Sequence, residues 1–434
     1  MTAFKFAATS SDNVHSEMVH LSISGVLGAL LAAASAKSLP PSRADNFHLH
    51  PFHIDLSHNV PRMIELVRNY QLPDKPEYPG VSSSMGIDLD VLKGLRKQWL
   101  SNFDWKKEQD ILNKLHHYTA TIEDLDIHFV HHKSNDPNAI PLLLNHGWPG
   151  SFLEFIPVIE PLIKKAKTST GKPVSFDIII PSLPGYAFSS PPPEGWTVED
   201  TARVFNTLMT EVLGYKKFAV HGTDLGAPIA YHLYDAFNAT TRAAHFVFMP
   251  FYPLTPDELV AWNITLSPEE EFVEQNFVRW ATTEAGYFQE HSYKPNTIGL
   301  ALYDNPVGQL AWIGEKFINW SDPSAGTSPS VLDHNEILRS VSLYYLTKSF
   351  VSSAYMYAQN LNGFKTEYTK ARTDAPMLFS TFKYNVGFWP KELLAKLGNL
   401  VQYRFHGFGG HFPGVDNPPA LVEDLREIGM YWQT

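Results

Sequence analysis

Residues 217–230 read KFAVHGTDLGAPIA, and this stretch decides the fold. An apolar run typical of a buried strand leads into a turn between Gly222 and Gly226, and the sequence then becomes typical of a helix. The residue at the corner is an acid, Asp224. A side chain at such a corner is exposed near the positive end of the helix dipole and beside free backbone N–H groups. The stretch therefore predicts a carboxylate positioned for chemistry.

The sequence around this corner alternates between strand-like and helix-like segments. Short apolar runs closed by Gly or Pro come before it, namely IPLLLNHGWPG from residue 140 and SFDIIIPSLPG from residue 175. Runs of this kind are typical of parallel strands that are buried on both faces. APMLFSTF and NLVQYRF predict two further strands near the C-terminus. The predicted fold class is α/β, with a mostly parallel sheet and helices on both faces.

Five segments are predicted along the chain. Residues 1–45 form a leader, and residues 46–138 form an N-terminal extension with amphipathic helices and a strand or hairpin. Residues 139–250 and 374–434 are the two parts of the α/β core. Residues 251–373 are aromatic-rich and helical in pattern, which predicts a helical lid inserted into the sheet.

Composition excludes several classes of function. The net charge of −11 at pH 7 and the absence of a basic run argue against nucleic acid as a partner. Without cysteine the chain has no disulfide framework and no thiol nucleophile. The histidines within 48–58 and 116–132 lack an accompanying carboxylate pattern such as H-E-x-x-H. No metal and no other cofactor is expected.

The leader bears on localisation. Residues 19–36, VHLSISGVLGALLAAASA, resemble a signal-peptide core or a short membrane anchor. Asn-x-Ser/Thr sequons at Asn238, Asn263 and Asn319 fit a secretory route. If the leader acts as a signal or an anchor, the protein is secreted or associated with the endoplasmic reticulum; otherwise it is cytoplasmic. Membrane association is expected only through this leader, and a homodimer is compatible with the sequence.

The acid at the corner indicates nucleophilic chemistry. An aspartate carboxylate is ionised at neutral pH and attacks an sp³ carbon directly, which gives an ester between enzyme and substrate. A histidine is then needed to activate the water that hydrolyses this ester. His411 meets that need, because it lies in a Gly-flanked loop between the last predicted strand and the last helix. Glu392 is the predicted acid that holds the imidazole, with Asp374 and Asp416 as alternatives.

The loop NHGWPGS at residues 145–151 follows an earlier predicted strand. Folds of this type supply oxyanion-hole donors from such a loop. The backbone N–H groups of Trp148 and Leu225 are therefore predicted to hold the oxyanion that develops during ester hydrolysis.

Four motifs together resemble one enzyme family. HGWPG at 146–150, GTDLG at 222–226, FWPKE at 388–392 and GGHF at 409–412 look like those of the microsomal-type epoxide hydrolases, which have an α/β-hydrolase fold. The resemblance extends from about residue 47 to the C-terminus and includes the N-terminal extension. Any one of these motifs is weak evidence, whereas their common order is specific.

The resemblance implies a mechanism for this chain. Asp224 attacks one carbon of an apolar epoxide while two lid tyrosines hydrogen-bond to the epoxide oxygen and protonate the leaving alkoxide. His411, held by Glu392, then activates water, and a vicinal diol is released. The tyrosines fall at Tyr287 and Tyr357 in this sequence. The second position has three neighbouring alternatives, Tyr344, Tyr345 and Tyr355.

Two other functions are consistent with the corner acid. A haloalkane dehalogenase also forms an aspartyl ester, but it needs side-chain N–H donors for the halide, typically a Trp beside the nucleophile, where this chain has Leu225. A non-catalytic protein that binds an apolar ligand is the alternative outside enzymes, and the complete set of Asp, His, acid and tyrosines argues against it.

Overall fold

The computed structural model describes residues 45–80 and 82–433. The leader that bears on localisation, including residues 19–36, lies outside the described residues. Among the helices that are described, none combines the length and the apolar character needed to cross a bilayer.

The described chain contains eleven strands. In chain order they are β1 (His50–Pro51), β2 (His117–Ile122), β3 (Leu125–His132), β4 (Ile140–Asn145), β5 (Ala166–Lys167), β6 (Pro173–Val174), β7 (Phe176–Pro181), β8 (Phe218–Gly222), β9 (Thr241–Phe246), β10 (Pro376–Tyr384) and β11 (Asn399–Gly410).

Nine of these strands form one sheet in the order β1-β2-β3-β7-β4-β8-β9-β10-β11. From β7 to β11 every neighbouring pair is parallel. The N-terminal extension adds β1, β2 and β3 as antiparallel strands on the β7 side. All residues of β4 and β8 are buried, as expected for central strands covered on both faces. The predicted α/β class with a mostly parallel sheet is confirmed.

Seventeen α-helices accompany the sheet in the described part of the chain. They are α1 (Val60–Asn69), α2 (Leu89–Ser101), α3 (Trp105–Leu112), α4 (Ile156–Ile163), α5 (Val198–Thr207), α6 (Gly226–Ala236), α7 (Pro256–Ala261), α8 (Pro268–Arg279), α9 (Gly286–Tyr293), α10 (Pro295–Leu302), α11 (Pro306–Asn319), α12 (His334–Thr347), α13 (Phe350–Gln359), α14 (Lys391–Leu397), α15 (Pro413–Asp416), α16 (Pro418–Arg426) and α17 (Ile428–Tyr431).

Helices α7 to α13 all lie between β9 and β10, inside the segment predicted as a lid. The N-terminal extension contacts α12 of this group through several side chains. The indole N–H of Trp99 on α2 donates to Ser342 Oγ at 3.1 Å. Asn335 Nδ2 donates to Glu108 Oε1 on α3 at 2.9 Å, and the buried Arg339 pairs with the same glutamate. The extension therefore anchors the helical segment to the sheet; that the segment acts as a lid stays a prediction.

Candidate active site

Three of the predicted site residues lie just after the ends of parallel strands. Trp148 follows β4, Asp224 follows β8 and His411 follows β11. Asn385 follows β10 directly. The carboxyl ends of parallel strands meet at one edge of a sheet, which is where ligands bind in α/β folds. The topology therefore brings together residues that are far apart in the sequence.

The corner that carries Asp224 is tightly constrained. Asp224 has φ of 45°, a left-handed conformation that side chains other than glycine seldom adopt. The backbone of the neighbouring strand β4 lies so close that a Cβ at Gly226 would be 2.2 Å from the carbonyl oxygen of Asn145. A Cβ at Gly147 would be 2.1 Å from Asp224 Oδ1. The two glycines allow the β4 loop and the corner to touch.

Replacing Gly226 with Ala is expected to lower the free energy of unfolding by about 1–3 kcal/mol, because the new methyl group meets backbone that cannot move aside. Urea denaturation measures this change. Gly94→Ala is the matched control, since a Cβ at that exposed position of α2 meets nothing within 4 Å. It should keep or raise the free energy of unfolding, by up to about 1 kcal/mol. Equal stability of the Gly226→Ala variant and the unsubstituted protein would contradict the packing argument.

The carboxylate of Asp224 is buried and contacts two groups. The N–H of Trp148 donates to Oδ1 at 2.7 Å. His411 Nε2 lies 3.1 Å from Oδ2. The N–H of Leu225 makes no hydrogen bond to another described residue. Both predicted oxyanion donors thus lie beside the carboxylate of Asp224; the N–H of Trp148 is bonded to it and the N–H of Leu225 is free.

The imidazole of His411 is held by an amide, not by a carboxylate. His411 Nδ1 lies 2.8 Å from Asn385 Oδ1. The structure does not bring Glu392 to His411, and this corrects the predicted pairing. Glu392 lies in the first turn of α14 and is exposed to solvent, whereas Asn385 at the end of β10 already occupies the position beside the ring.

The two alternative acids are engaged elsewhere. Asp374 is on the surface and pairs with Arg242 at 2.8 Å. Asp416 accepts hydrogen bonds from the N–H of Asp322 at 2.8 Å and from Ser330 Oγ at 3.1 Å. Burial raises the pKa of Asp416 to about 6. Neither acid is a partner of the imidazole.

Tyr287 and Tyr357 lie together over the corner. The ring of Tyr287 stacks on Trp148 with centroids 5.0 Å apart, and the two tyrosine rings are edge to face at 6.0 Å. Burial, followed by the charge of Asp224, raises the pKa of Tyr287 well above its usual value. Burial, followed by Tyr287, does the same to the pKa of Tyr357. Both phenols are therefore protonated at neutral pH.

The sequence matches known epoxide hydrolases over most of its length. Residues 49–155 match the family described as "Epoxide hydrolase N terminus", and residues 140–296 match "alpha/beta hydrolase fold". Epoxide hydrolase 1 of Oryctolagus cuniculus is 32% identical over 375 residues, which cover 80% of this chain and 81% of that protein. The chain belongs to the epoxide hydrolase family. This confirms the resemblance inferred from the four motifs.

Solved structures of epoxide hydrolases share the fold. The Aspergillus niger epoxide hydrolase has 31% identity and a TM-score of 0.76, covering 88% of this chain and 96% of that chain. The juvenile hormone epoxide hydrolase of the silkworm Bombyx mori has 28% identity and a TM-score of 0.78, covering 90% of this chain and 96% of that chain. The protein described here is therefore a hydrolase that acts on epoxides.

The structure separates the alternatives to Tyr357 in this epoxide hydrolase. Tyr344 Oη donates to the carbonyl oxygen of Gly150 at 2.9 Å, and Tyr345 Oη donates to Asp304 at 2.8 Å. Tyr355 is 37% exposed on the outer side of α13. Of the four tyrosines, Tyr357 alone contacts the ring of Tyr287.

Sequence reasoning missed three aromatic residues and one carboxyl group of the site. Phe248 and Trp320 lie against His411, with ring centroids 5.5 and 5.3 Å away, and His291 lies edge-on to Trp148 at 4.6 Å. No local pattern distinguishes them in a chain that is 13% aromatic.

Glu154 is buried beneath the loop after β4, and burial followed by the charge of Asp224 raises its pKa well above the usual range. Its carboxyl group therefore stays protonated, and uncharged, at a pH where an ordinary glutamate is ionised.

The predicted absence of a metal site rested on the histidine-rich stretches. Within residues 45–80 and 82–433, no three His, Cys, Asp or Glu side chains come together as metal ligands. Several of these histidines bond to one another or to nearby groups; His117 Nδ1 lies 2.9 Å from His128 Nε2, and His131 Nε2 lies 3.0 Å from Tyr215 Oη.

Proposed function

We propose that the protein converts apolar epoxides to vicinal diols through an ester on Asp224, with His411 activating the water that hydrolyses it. The contacts of the Asp224 carboxylate carry this proposal. One oxygen accepts the N–H of Trp148, the other faces His411 Nε2, and Tyr287 stacks on Trp148 above them. The aromatic rings around the carboxylate favour a substrate with an apolar frame.

In the first step the carboxylate oxygen attacks one ring carbon and the bond from that carbon to the epoxide oxygen breaks. The oxygen leaves as an alkoxide and takes a proton from Tyr287 or Tyr357. A protonated phenol can donate to the epoxide oxygen before the bond breaks, and the raised pKa values of both tyrosines keep them in that form. The buried setting strengthens these hydrogen bonds as charge develops.

In the second step water attacks the carbonyl carbon of the ester. His411 Nε2 takes the proton of the water, and the N–H groups of Trp148 and Leu225 hold the oxyanion of the tetrahedral intermediate. Collapse of the intermediate breaks the ester and restores the carboxylate. The diol oxygen takes the proton of the imidazolium, and the second proton of the attacking water passes from the carboxyl group through solvent to the tyrosinate.

Single-turnover mass spectrometry tests the proposal. The purified protein is mixed with a limiting amount of styrene oxide, quenched, and the peptide that contains Asp224 is analysed. An alkyl ester on that peptide, followed by phenylethane diol, is the expected result, and the ester should accumulate in the His411→Gln variant. Absence of both ester and diol with a panel of aryl and lipid epoxides would refute the proposal.

Offering the protein a haloalkane beside the epoxides separates the two alternative functions. Halide release from a haloalkane with no diol formation would favour a dehalogenase, and a protein inert to every substrate would favour ligand binding without catalysis. No observation at the corner favours the dehalogenase, because the residue beside the nucleophile is Leu225.

Changing Tyr287 or Tyr357 to Phe is expected to slow ester formation by about 10²-fold each, which is the usual effect of losing one donor to a developing oxyanion. Rapid-quench measurement of ester formation reports this step alone. Tyr355→Phe is the matched control, since this exposed tyrosine lies on the same helix as Tyr357. An unchanged rate of ester formation in both Phe variants at the site would contradict the role of the tyrosines.

A further inference from the structure

We infer that Asn385 takes the place of the acid in this epoxide hydrolase, so that a neutral amide orients His411 for the hydrolysis of the ester. The inference rests on the proposed function, since it concerns its second step. Asn385 lies at the end of β10 and is 2% exposed. Its Oδ1 lies 2.8 Å from His411 Nδ1, the nitrogen that faces away from Asp224.

The orientation of the amide is fixed by the backbone around it. Asn385 Nδ2 donates to the carbonyl oxygen of Val247 at 2.9 Å, and Oδ1 accepts the N–H of Val386 at 2.8 Å. If the amide were turned over, its NH₂ would face an N–H donor and its oxygen would face a carbonyl oxygen. Oδ1 is therefore held toward the imidazole.

This orientation selects the tautomer of His411. An amide oxygen only accepts, so the proton of the neutral imidazole lies on Nδ1 and the lone pair lies on Nε2. Nε2 faces the carboxylate that becomes the ester, at 3.1 Å from Oδ2. The neutral ring is thus positioned as the base toward the water that attacks the ester.

A neutral partner has a consequence that a carboxylate would not have. During the second step Asp224 is an uncharged ester, and the imidazolium that forms has an amide at Nδ1. A carboxylate at the same place would stabilise the imidazolium by its charge. We therefore assign Asn385 as a positioning residue that fixes geometry without adding charge.

Measuring the two steps separately tests this role. Ester formation and ester hydrolysis are followed by rapid quench and mass spectrometry in Asn385→Ala, Asn385→Asp and Glu392→Gln. In Asn385→Ala the rate of ester hydrolysis should fall by about 10²-fold, while the rate of ester formation changes little. This factor is the lower end of what a positioned general base contributes to a rate. Glu392→Gln, which alters an exposed residue remote from the imidazole, should leave both rates unchanged.

The Asn385→Asp variant adds a measurement, the pH profile of ester hydrolysis, that would not change if Asn385 only stabilised the fold. A carboxylate beside Nδ1 should shift the acidic limb of the pH profile of ester hydrolysis upward by about one pH unit or more. The charged or titratable groups on the elements around His411 stay the same in this comparison; they are Asp224, Glu154, Tyr287, Lys316, Asp322 and Asp416.

The outcomes are distinct. The assignment would be overturned, and Glu392 restored as the acid, by three results together. Ester hydrolysis would be slowed in Glu392→Gln, its rate would be unchanged in Asn385→Ala, and its pH profile would be unchanged in Asn385→Asp. If Asn385→Ala unfolds, the pH profile of Asn385→Asp still decides. Failure of the unsubstituted protein to form any ester or diol would refute the proposed function itself, whereas normal turnover with unaffected Asn385 variants would refute this inference alone.

Discussion

Replacing Asp224 with Asn is expected to lower turnover of styrene oxide by at least about 10⁴-fold, in line with the loss of a catalytic nucleophile in other hydrolases. The amide is a poor nucleophile, so no ester should be detected on the peptide that carries residue 224. Because both steps of the proposed mechanism pass through this ester, its loss should not be offset by His411 or by the tyrosines.

The fold of this variant should be intact, which makes the experiment informative. Asn tolerates a left-handed backbone better than most residues, so φ of 45° is retained. Its carbonyl oxygen can still accept the N–H of Trp148, which in the unsubstituted protein donates to Asp224 Oδ1 at 2.7 Å. The melting temperature and circular dichroism serve as controls, with Asp257→Asn as a matched change at an exposed acid. Diol formation by Asp224→Asn at more than about a hundredth of the original rate would contradict the role of the carboxylate.

The corner, the loop after β4 and the final His loop could be predicted because each is marked by local chemistry. A strand that ends in a glycine-bounded turn leaves few conformations open, and the close approaches at Gly147 and Gly226 show why those positions lack side chains. The parallel order of the strands then places Trp148, Asp224 and His411 at one edge. Local sequence and topology together therefore carry most of the site.

The partner of His411 could not be predicted in the same way. The pattern FWPKE indicated Glu392, but α14 begins at Lys391 and turns that side chain toward solvent. Asn385 has no motif of its own, and its role depends on the end of β10, on Val247 and on the imidazole meeting in space. Three-dimensional contacts of this kind, like those of Phe248 and Trp320, leave no spacing in the sequence.

The protein is expected to lose stability steeply as the pH falls from about 6.5 to about 4, because it buries many neutral histidines. Burial lowers the pKa of His117, His146 and His245 to about 4 and that of His131, His132 and His291 to about 3. These groups bind protons in the unfolded chain below about 6.5 but stay neutral in the folded protein until the pH is far lower. Their contribution to stability is thus fully present above pH 6.5 and is lost as the pH falls toward the folded pKa values.

A folded pKa of about 4 against about 6.5 in the unfolded chain corresponds to about 3 kcal/mol for a single group, so several groups together can exceed the stability of a typical domain. Thermal or urea unfolding at half-unit steps from pH 7.5 to pH 4 measures the slope. His131→Gln should reduce this slope, because it removes one such group while the amide can still donate to Tyr215 Oη, which His131 Nε2 contacts at 3.0 Å. His50→Gln at an exposed strand residue is the matched control. A flat stability profile between pH 6.5 and pH 4, or equal slopes for His131→Gln and His50→Gln, would show that the buried imidazoles do not govern acid unfolding.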